Sequence, residues 1–183
     1  MWLAVVARPQ VPEYVYHQML WTYLPERYRQ PGAERPFVYR VERDGIWVLS
    51  RYRPACEARA ISPSIEAGRV YQFDLLCSPA RGGRDPETGE RRRRVFYRGN
   101  DERRAWLQRR LDGAAETLFV QAFDRPVRHI RKPGGPRLRI EECRMRGTLR
   151  VTDRSAMIER LCQGIGGRGA WGHGLLWLPE VMG

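Results

Sequence analysis

Hydrophobic residues in the first half of the chain fall into short runs, which predict several strands and one helix. The run 2–7 predicts the first strand. A helix is expected to begin at Pro12, because proline suits the first helical position, and to end at Leu24, before Pro25. Two strands are expected at 37–41 and 46–50, around an Asp-Gly turn. A weak segment at 58–66, interpreted as a short helix, and a strand at 69–77 complete the half.

The second half follows a polar stretch that is rich in glycine and proline and has no periodicity of its own. Within this stretch, 81–90 predicts a linker or the tip of a hairpin. One helix is expected over about 100–113, and a third helix between Asp153, a suitable N-cap, and Gly164, a suitable left-handed C-cap. Strands are expected at 117–123, 138–151 and 174–178.

Both halves therefore have the element order β-α-β-β-α-β. This order predicts an α+β protein with two tandem ferredoxin-like domains, an RRM-like architecture that RNA-recognition modules also use. We expect an N-terminal domain over 1–80, a linker or hairpin tip over 81–90, and a C-terminal domain over 91–183. The two halves share no sequence repeat, so the duplication is inferred from element order alone.

The composition adds a polyanionic partner to this picture. The net charge is +12, and Lys132 is the single lysine among 33 basic residues, which leaves 32 arginines. Arginine suits nucleic acid because its planar guanidinium binds phosphates and base edges with two hydrogen bonds. A codon bias could account for the ratio of arginine to lysine, but not for the net charge. A nucleic acid is therefore the expected partner.

Cysteine spacing and the N-terminal segment bear on the compartment. The four cysteines lie far apart without a C-x-x-C pair, which argues against a zinc site and against a dense disulfide framework. The apolar run 2–7 is too short for a signal peptide or a membrane span. The sequence thus predicts a cytoplasmic protein with reduced thiols, no metal and no membrane association.

His17 is the leading catalytic candidate. Tyr14, His17, Trp21 and Leu24 are spaced by 3, 4 and 3 residues and so share one helix face. RNA carries its own nucleophile, the 2′-hydroxyl, so one group that moves protons near neutral pH could support cleavage without a metal. Tyr14, one turn away, could position the nucleophile or donate a hydrogen bond to the developing charge. The alternative is a histidine that merely packs among aromatic residues.

The glycine-rich segment 164–174 contains the pattern G-x-G-x-x-G, the fingerprint of dinucleotide-binding loops. That fingerprint follows a strand and opens a helix, whereas this segment follows a helix and precedes a strand. We therefore expect no nicotinamide or flavin cofactor. A loop whose amides meet an RNA backbone, or that packs between two domains, fits better. Arg168 could add a phosphate ligand, and His173 could be a second RNA ligand or, more simply, an exposed loop histidine.

Consecutive arginines follow the predicted hairpin tip. Arg91, Arg92, Arg93 and Arg94 would present charge on both faces of a strand and could track the groove of a nucleic acid. The alternative is an ordinary solvated run of like charges.

Four segments, in order, resemble the CRISPR repeat-processing endoribonucleases of the Cas6 superfamily, and particularly its Cas6e branch. They are YVYHQMLW at 14–21 followed by Leu24-Pro25, RAWLQRRL at 104–111, GTLRV at 147–151 followed by Asp153, and QGIG to GHGLL over 163–176. The resemblance implies two ferredoxin-like domains of the RAMP type. It also implies metal-independent cleavage of precursor CRISPR RNA at the 3′ base of a repeat hairpin, which leaves a 2′,3′-cyclic or 3′-phosphate and a 5′-hydroxyl.

By this resemblance, His17 is the general acid or base, Tyr14 is its partner, and the mature guide RNA stays bound in a surveillance complex with other Cas subunits. The chain lacks the lysines that relatives use on the scissile phosphate, and 74–79 lacks an expected basic strand end. Arginines could substitute. The expected RNA contacts are Arg27, Arg29, Arg91, Arg92, Arg93, Arg94, Arg168, Gly164, Gly166, Gly172 and Gly174.

Two other functions stay open on the sequence. One is a non-catalytic subunit that binds the guide RNA of a CRISPR complex, with His17 as a structural residue. The other is a nucleotide-dependent enzyme, which would require saturable cofactor binding.

Overall fold

The computed structural model describes residues 1–28, 35–62, 64–82, 87–89, 94–131, 133–135, 137–167 and 169–183. Its first part forms β1 (Trp2–Val6), α1 (Glu13–Thr22), β2 (Phe37–Val41), β3 (Ile46–Ser50) and β4 (Arg59–Ala60). These strands form an antiparallel sheet with the order β2-β3-β1-β4. This is the strand order of a ferredoxin-like unit. The prediction of a short helix at 58–66 is wrong, because the described part of this segment holds the fourth strand, β4, and no helix.

One face of this first sheet is covered by α1. The helix buries Tyr16 and Leu20, four residues apart, and both pack on β-strand side chains such as Tyr39 and Val48. Leu3 and Leu49 point the other way and join a second cluster, because neighbouring strand residues alternate between faces.

The rest of the chain forms β5 (Val70–Cys77), β6 (Ala80–Arg81), β7 (Val95–Phe96), α2 (Asn100–Leu111), β8 (Ala115–Asp124), β9 (Arg128–Arg131), β10 (Arg137–Ile140), β11 (Cys143–Val151), α3 (Arg154–Gln163), β12 (Leu176–Trp177) and α4 (Pro179–Met182). A second antiparallel sheet has the order β12-β5-β11-β8. With α2 and α3 it repeats the ferredoxin-like order of the first unit, so the prediction of two such units in an α+β fold is confirmed.

The strand β5 belongs to the second sheet. It pairs with β11 along its whole length, from Val70 to Cys77, and with β12 at Leu75. The prediction that this strand completes the first half is therefore wrong. By sheet membership, the chain passes from one unit to the other within 61–69. The domain bounds 1–80 and 91–183 remain a prediction about folding units.

Two hairpins extend from the second sheet. The strands β6 and β7 pair antiparallel, which favours the hairpin interpretation of 81–90 over the linker. The strands β9 and β10 form a second hairpin between β8 and β11. The single strand expected over 138–151 is therefore two strands, which separate at Glu141 and Glu142.

A common hydrophobic core joins the two units. Val38 and Leu49 of the first sheet lie in one cluster with Leu107 of α2 and Leu161 of α3. The ring centroids of Trp47 and Trp177 are 4.6 Å apart, which adds a contact between the sheets. In the part of the chain that the structure describes, no helix is long and apolar enough to cross a membrane.

Candidate active site

The candidate catalytic residues lie together on α1. The ring of His17 is half-buried and contacts two aromatic rings, Trp21 at 6.2 Å edge-on and Phe37 of β2 at 5.9 Å between centroids. Tyr14, one turn earlier on the helix, is also half-buried. Partial burial against aromatic neighbours holds the imidazole in place.

The glycine-rich segment passes beside this helix. Its 3-10 turn, Gly169–Trp171, packs against α1. The hydroxyl of Tyr39 donates a hydrogen bond to the carbonyl of Ala170 at 2.6 Å, which ties the segment to β2. Burial raises the pKa of Tyr39, so this hydroxyl remains a donor. The helix that carries His17 and the glycine-rich segment thus share one edge of the first unit.

Close packing accounts for two of the glycines in this segment. Gly164 ends α3 with a φ of +81°, and a Cβ at this position would lie 2.7 Å from Cγ1 of Val38. Gly172 has a φ of +77°, and its Cβ would lie 3.3 Å from Cε2 of Tyr39. Both positions combine left-handed backbone with a neighbouring side chain, so glycine fits them best.

The other two predicted glycines differ in exposure. Gly174 is buried, accepts a hydrogen bond from the amide of Ile165 at 2.8 Å, and donates one to the carbonyl of Leu76 at 3.0 Å. Gly166 is exposed and lies over the ring of Trp106. The structure thus gives the segment a packing role between the two units. Contact of its glycines with RNA stays a prediction.

Arg35 is a feature of the site that the sequence analysis missed. Its guanidinium packs against Gly169 and leaves no room for a Cβ there. The guanidinium carbon also lies 5.6 Å from the centroid of Phe37, the ring that contacts His17. Burial lowers the pKa of Arg35, and no carboxylate among the described residues forms an ion pair with it. A partly desolvated cation without a counter-ion suits a phosphate ligand.

The hairpin of β9 and β10 is a second missed feature. Arg128 of β9 binds the carboxylate of Glu13, at the start of α1, and also lies 2.8 Å from the carboxylate of Glu142. These ion pairs place the hairpin beside the helix that carries His17. Three further arginines of the hairpin have exposed side chains: Arg131, Arg137 and Arg139. The sequence predicted a single strand over 138–151 and no hairpin at this position.

His173 lies inside the protein, so the expectation of an exposed loop histidine is wrong. It is 1% exposed, and its Nε2 lies 2.8 Å from Oε2 of Glu142. Burial alone would raise the pKa of Glu142, but the contacts with His173 and Arg128 hold the pKa below its usual range. The local sequence is rich in glycine and therefore resembles a solvated loop, whereas the buried partner, Glu142, is distant in sequence.

The predicted arginine contacts are only partly described. Arg27 is exposed, with its guanidinium carbon 4.8 Å from the centroid of Tyr28. Arg94 is exposed, and its Nη2 donates to the carbonyl of Ser78 at 2.7 Å. The remaining predicted arginines lie outside the described residues: Arg29, Arg91, Arg92, Arg93 and Arg168.

The protein has two ferredoxin-like units on a common core, and a histidine on its first helix lies beside a glycine-rich segment. These features define its class, a tandem ferredoxin-like protein of the RNA-recognition type. The family model described as CRISPR associated protein matches residues 7–179, and the chain belongs to this family. The CRISPR system Cascade subunit CasE of Escherichia coli strain K12 is 29% identical over 187 residues, with 92% of each chain covered.

Solved structures agree with this assignment. The CRISPR-associated protein Cas6e from Escherichia coli K-12 matches with a TM-score of 0.77 and 25% identity, over 97% of this chain and 98% of that one. The CRISPR endoribonuclease Cse3 bound to a 19-nucleotide RNA matches with a TM-score of 0.78 and 25% identity, over 97% and 99%. The resemblance to the Cas6e branch is thus confirmed.

Proposed function

We propose that this protein is a metal-independent endoribonuclease that binds the repeat hairpin of precursor CRISPR RNA and cleaves it by attack of a 2′-hydroxyl. The observation that carries the proposal is the half-buried His17 on α1, with the guanidinium of Arg35 packed on the same Phe37 ring. Among the described residues, no carboxylate forms an ion pair with Arg35. The similarity to an RNA-bound endoribonuclease over nearly the whole chain supports it.

The reaction needs proton movement at two oxygens. The 2′ oxygen forms a bond to phosphorus while the bond from phosphorus to the 5′ oxygen breaks, which gives a cyclic phosphate and a 5′-hydroxyl. His17 either accepts the proton of the 2′-hydroxyl or donates a proton to the leaving 5′ oxygen, and solvent water exchanges the proton at the other oxygen. Tyr14 donates a hydrogen bond to the phosphate, and Arg35 balances the charge that develops on it.

The RNA duplex lies across the basic hairpins next to α1. The hairpin of β9 and β10 presents exposed arginines beside Glu13, and Arg94 extends from the arm of the other hairpin. Arginines on two-stranded ribbons can contact phosphates on both sides of a groove. Arg91, Arg92 and Arg93, which lie outside the described residues, are proposed as further contacts with the RNA.

The product stays bound and joins other Cas subunits in a surveillance complex. This part of the proposal is supported by the Escherichia coli relative, which is named as a subunit of Cascade. We place the protein in the cytoplasm, where a precursor transcript is available as substrate.

Cleavage of a repeat hairpin in the presence of EDTA tests the proposal. Wild-type protein should cut at a single site and leave a 2′,3′-cyclic or 3′-phosphate, and a 2′-deoxy substitution at that site should abolish cleavage. His17→Ala should lower the single-turnover rate by about 10²- to 10⁴-fold, the usual contribution of acid–base catalysis, and retain hairpin affinity. Loss of binding instead of cleavage would contradict the role of His17. Intact RNA after long incubation with wild-type protein would favour a non-catalytic binding subunit.

A further inference from the structure

A cavity of about 240 Å³ adjoins the candidate active site. Its wall includes residues of the 3-10 turn after α1, the start of β2, the segment after β3 and the end of α3. The side chains used in the argument are Arg27, Tyr28, Arg35, Arg51 and Tyr52. None of them but Arg35 has a part in the reaction proposed above.

Aromatic rings form one wall of this cavity. Tyr28 and Tyr52 stack in parallel, with centroids 3.7 Å apart and planes inclined by 7°. The guanidinium of Arg27 covers the ring of Tyr28 at 4.8 Å. The rings come from separate segments of the chain, and both are only half-buried. Since Tyr52 and Arg27 cover the ring of Tyr28, the outer face of Tyr52 is the surface of this stack on which a nucleobase can bind by stacking, whatever its identity.

The charges around the cavity favour an anion. Nη2 of Arg51 lies 3.0 and 3.1 Å from the two carboxylate oxygens of Glu159, so this cation is neutralised. Arg27 and Arg35 have no ion-pair partner among the described residues. These two guanidinium groups lie beside two stacked rings. The guanidinium groups can bind the phosphate of a nucleotide, and the rings can bind its base.

Arg35 connects the cavity to His17. It lines the cavity, and its guanidinium also lies on the Phe37 ring that His17 contacts. Arg35 and His17 thus contact the same ring, and a nucleotide whose phosphate binds Arg35 can enter the cavity.

We infer that this cavity binds the unpaired nucleotide that follows the scissile phosphate, with its base on the Tyr28 and Tyr52 stack. The inference rests on the proposed function, because a cut at the 3′ base of a hairpin leaves the following nucleotide unpaired. The cavity thus holds the departing strand in line until the bond to its 5′ oxygen breaks.

Binding of uncleavable RNA tests this inference. Hairpins with a 2′-deoxy nucleotide at the cut site are prepared with no 3′ extension, with one further nucleotide, and with one abasic nucleotide. For wild-type protein, the complete nucleotide should tighten binding about tenfold relative to the abasic one, within the range for stacking of a base on an aromatic side chain. Tyr52→Leu should reduce this gain to about twofold, and Tyr52→Phe should restore it.

Arg53→Ala is the matched control, since Arg53 follows Tyr52, lies over the ring of Trp2 and does not line the cavity. It should keep the wild-type gain. Equal affinity of wild-type protein for the complete and abasic extensions would overturn the inference, as would an equal loss of affinity for all three hairpins in Tyr52→Leu. The ribose form of the extended hairpin separates the two proposals. If wild-type protein cuts it but shows no gain from the base, only the inferred subsite fails; if it does not cut, the proposed function fails.

Discussion

At the scale of single residues, Arg35 offers the sharpest test of the catalytic site. Its guanidinium is partly desolvated and lies on the ring beside His17, so it can stabilise the charge that develops on the phosphate. Arg35→Gln should lower the single-turnover cleavage rate by about 10²- to 10³-fold, as for the loss of one such hydrogen-bond donor. Arg35→Lys should restore part of the rate, because it keeps the charge. An unchanged rate in Arg35→Gln would remove this residue from the mechanism.

A second prediction at this scale concerns Gly164, where a side chain would meet both an unfavourable backbone conformation and a close neighbouring side chain. Gly164→Ala should lower the free energy of unfolding through its left-handed backbone and through the clash with Val38, together by about 2–4 kcal/mol. Gly68 is the matched control, since its φ is +83° and no atom lies within 4 Å of its Cβ position. Gly68→Ala should cost about 1–2 kcal/mol, the backbone part alone. Urea unfolding measures both variants, and equal losses would mean that the contact with Val38 is absent.

Residue spacing explains which parts of the site could be predicted. Tyr14 and His17 are neighbours on one helix, so their proximity follows from a local period. Arg35 reaches the site only because β2 lies under α1 and Gly169 lies beside it, which no local pattern shows. The partner of His173 is likewise distant in sequence.

At the scale of elements, the partner of β5 is also distant in sequence and could not be predicted from a local pattern. The alternating pattern of β5 predicts a strand, but a period of two says nothing about the sheet in which the strand pairs.

The pairing of β5 with β11 crosses the predicted linker, and this has a measurable consequence. A specific protease site inserted at Gly89, between β6 and β7, should yield two fragments that elute together as one particle with an unchanged circular dichroism spectrum. The uncut protein with the same insertion is the control. Separation of the fragments in native buffer would show that 81–90 joins independent folding units.

At the scale of the whole molecule, ion pairs hold the sheets together as well as the shared core. Asp74 of β5 accepts hydrogen bonds from Nε of Arg144 at 2.8 Å and of Arg146 at 2.9 Å, and from Nη1 of Arg40 in β2 at 3.1 Å. Burial alone would raise the pKa of Asp74, but these three arginines hold it below its usual value of 3.8. The pKa of Glu142 is likewise lowered by its contacts with His173 and Arg128.

A lowered pKa in the folded state gives stability a definite dependence on pH. The unfolded chain binds protons at these carboxylates more readily, so their stabilisation is complete above the unfolded pKa of about 4 and is lost as pH falls through the folded pKa. Asp74→Asn should therefore be less stable than wild-type protein at pH 7 by about 1.5–3 kcal/mol, because it removes one of the two carboxylates that pair with the buried Arg40 and leaves only Glu42. Below pH 4 the difference should shrink, because the wild-type carboxylate becomes neutral as well. Asp44→Asn, at an exposed turn position, serves as the control and should follow the wild-type profile. The difference in the free energy of unfolding between Asp74→Asn and wild type could instead stay constant from pH 7 to the acid limit. That result would mean that Asp74 supports the interface by packing and that its charge does not hold the two sheets together.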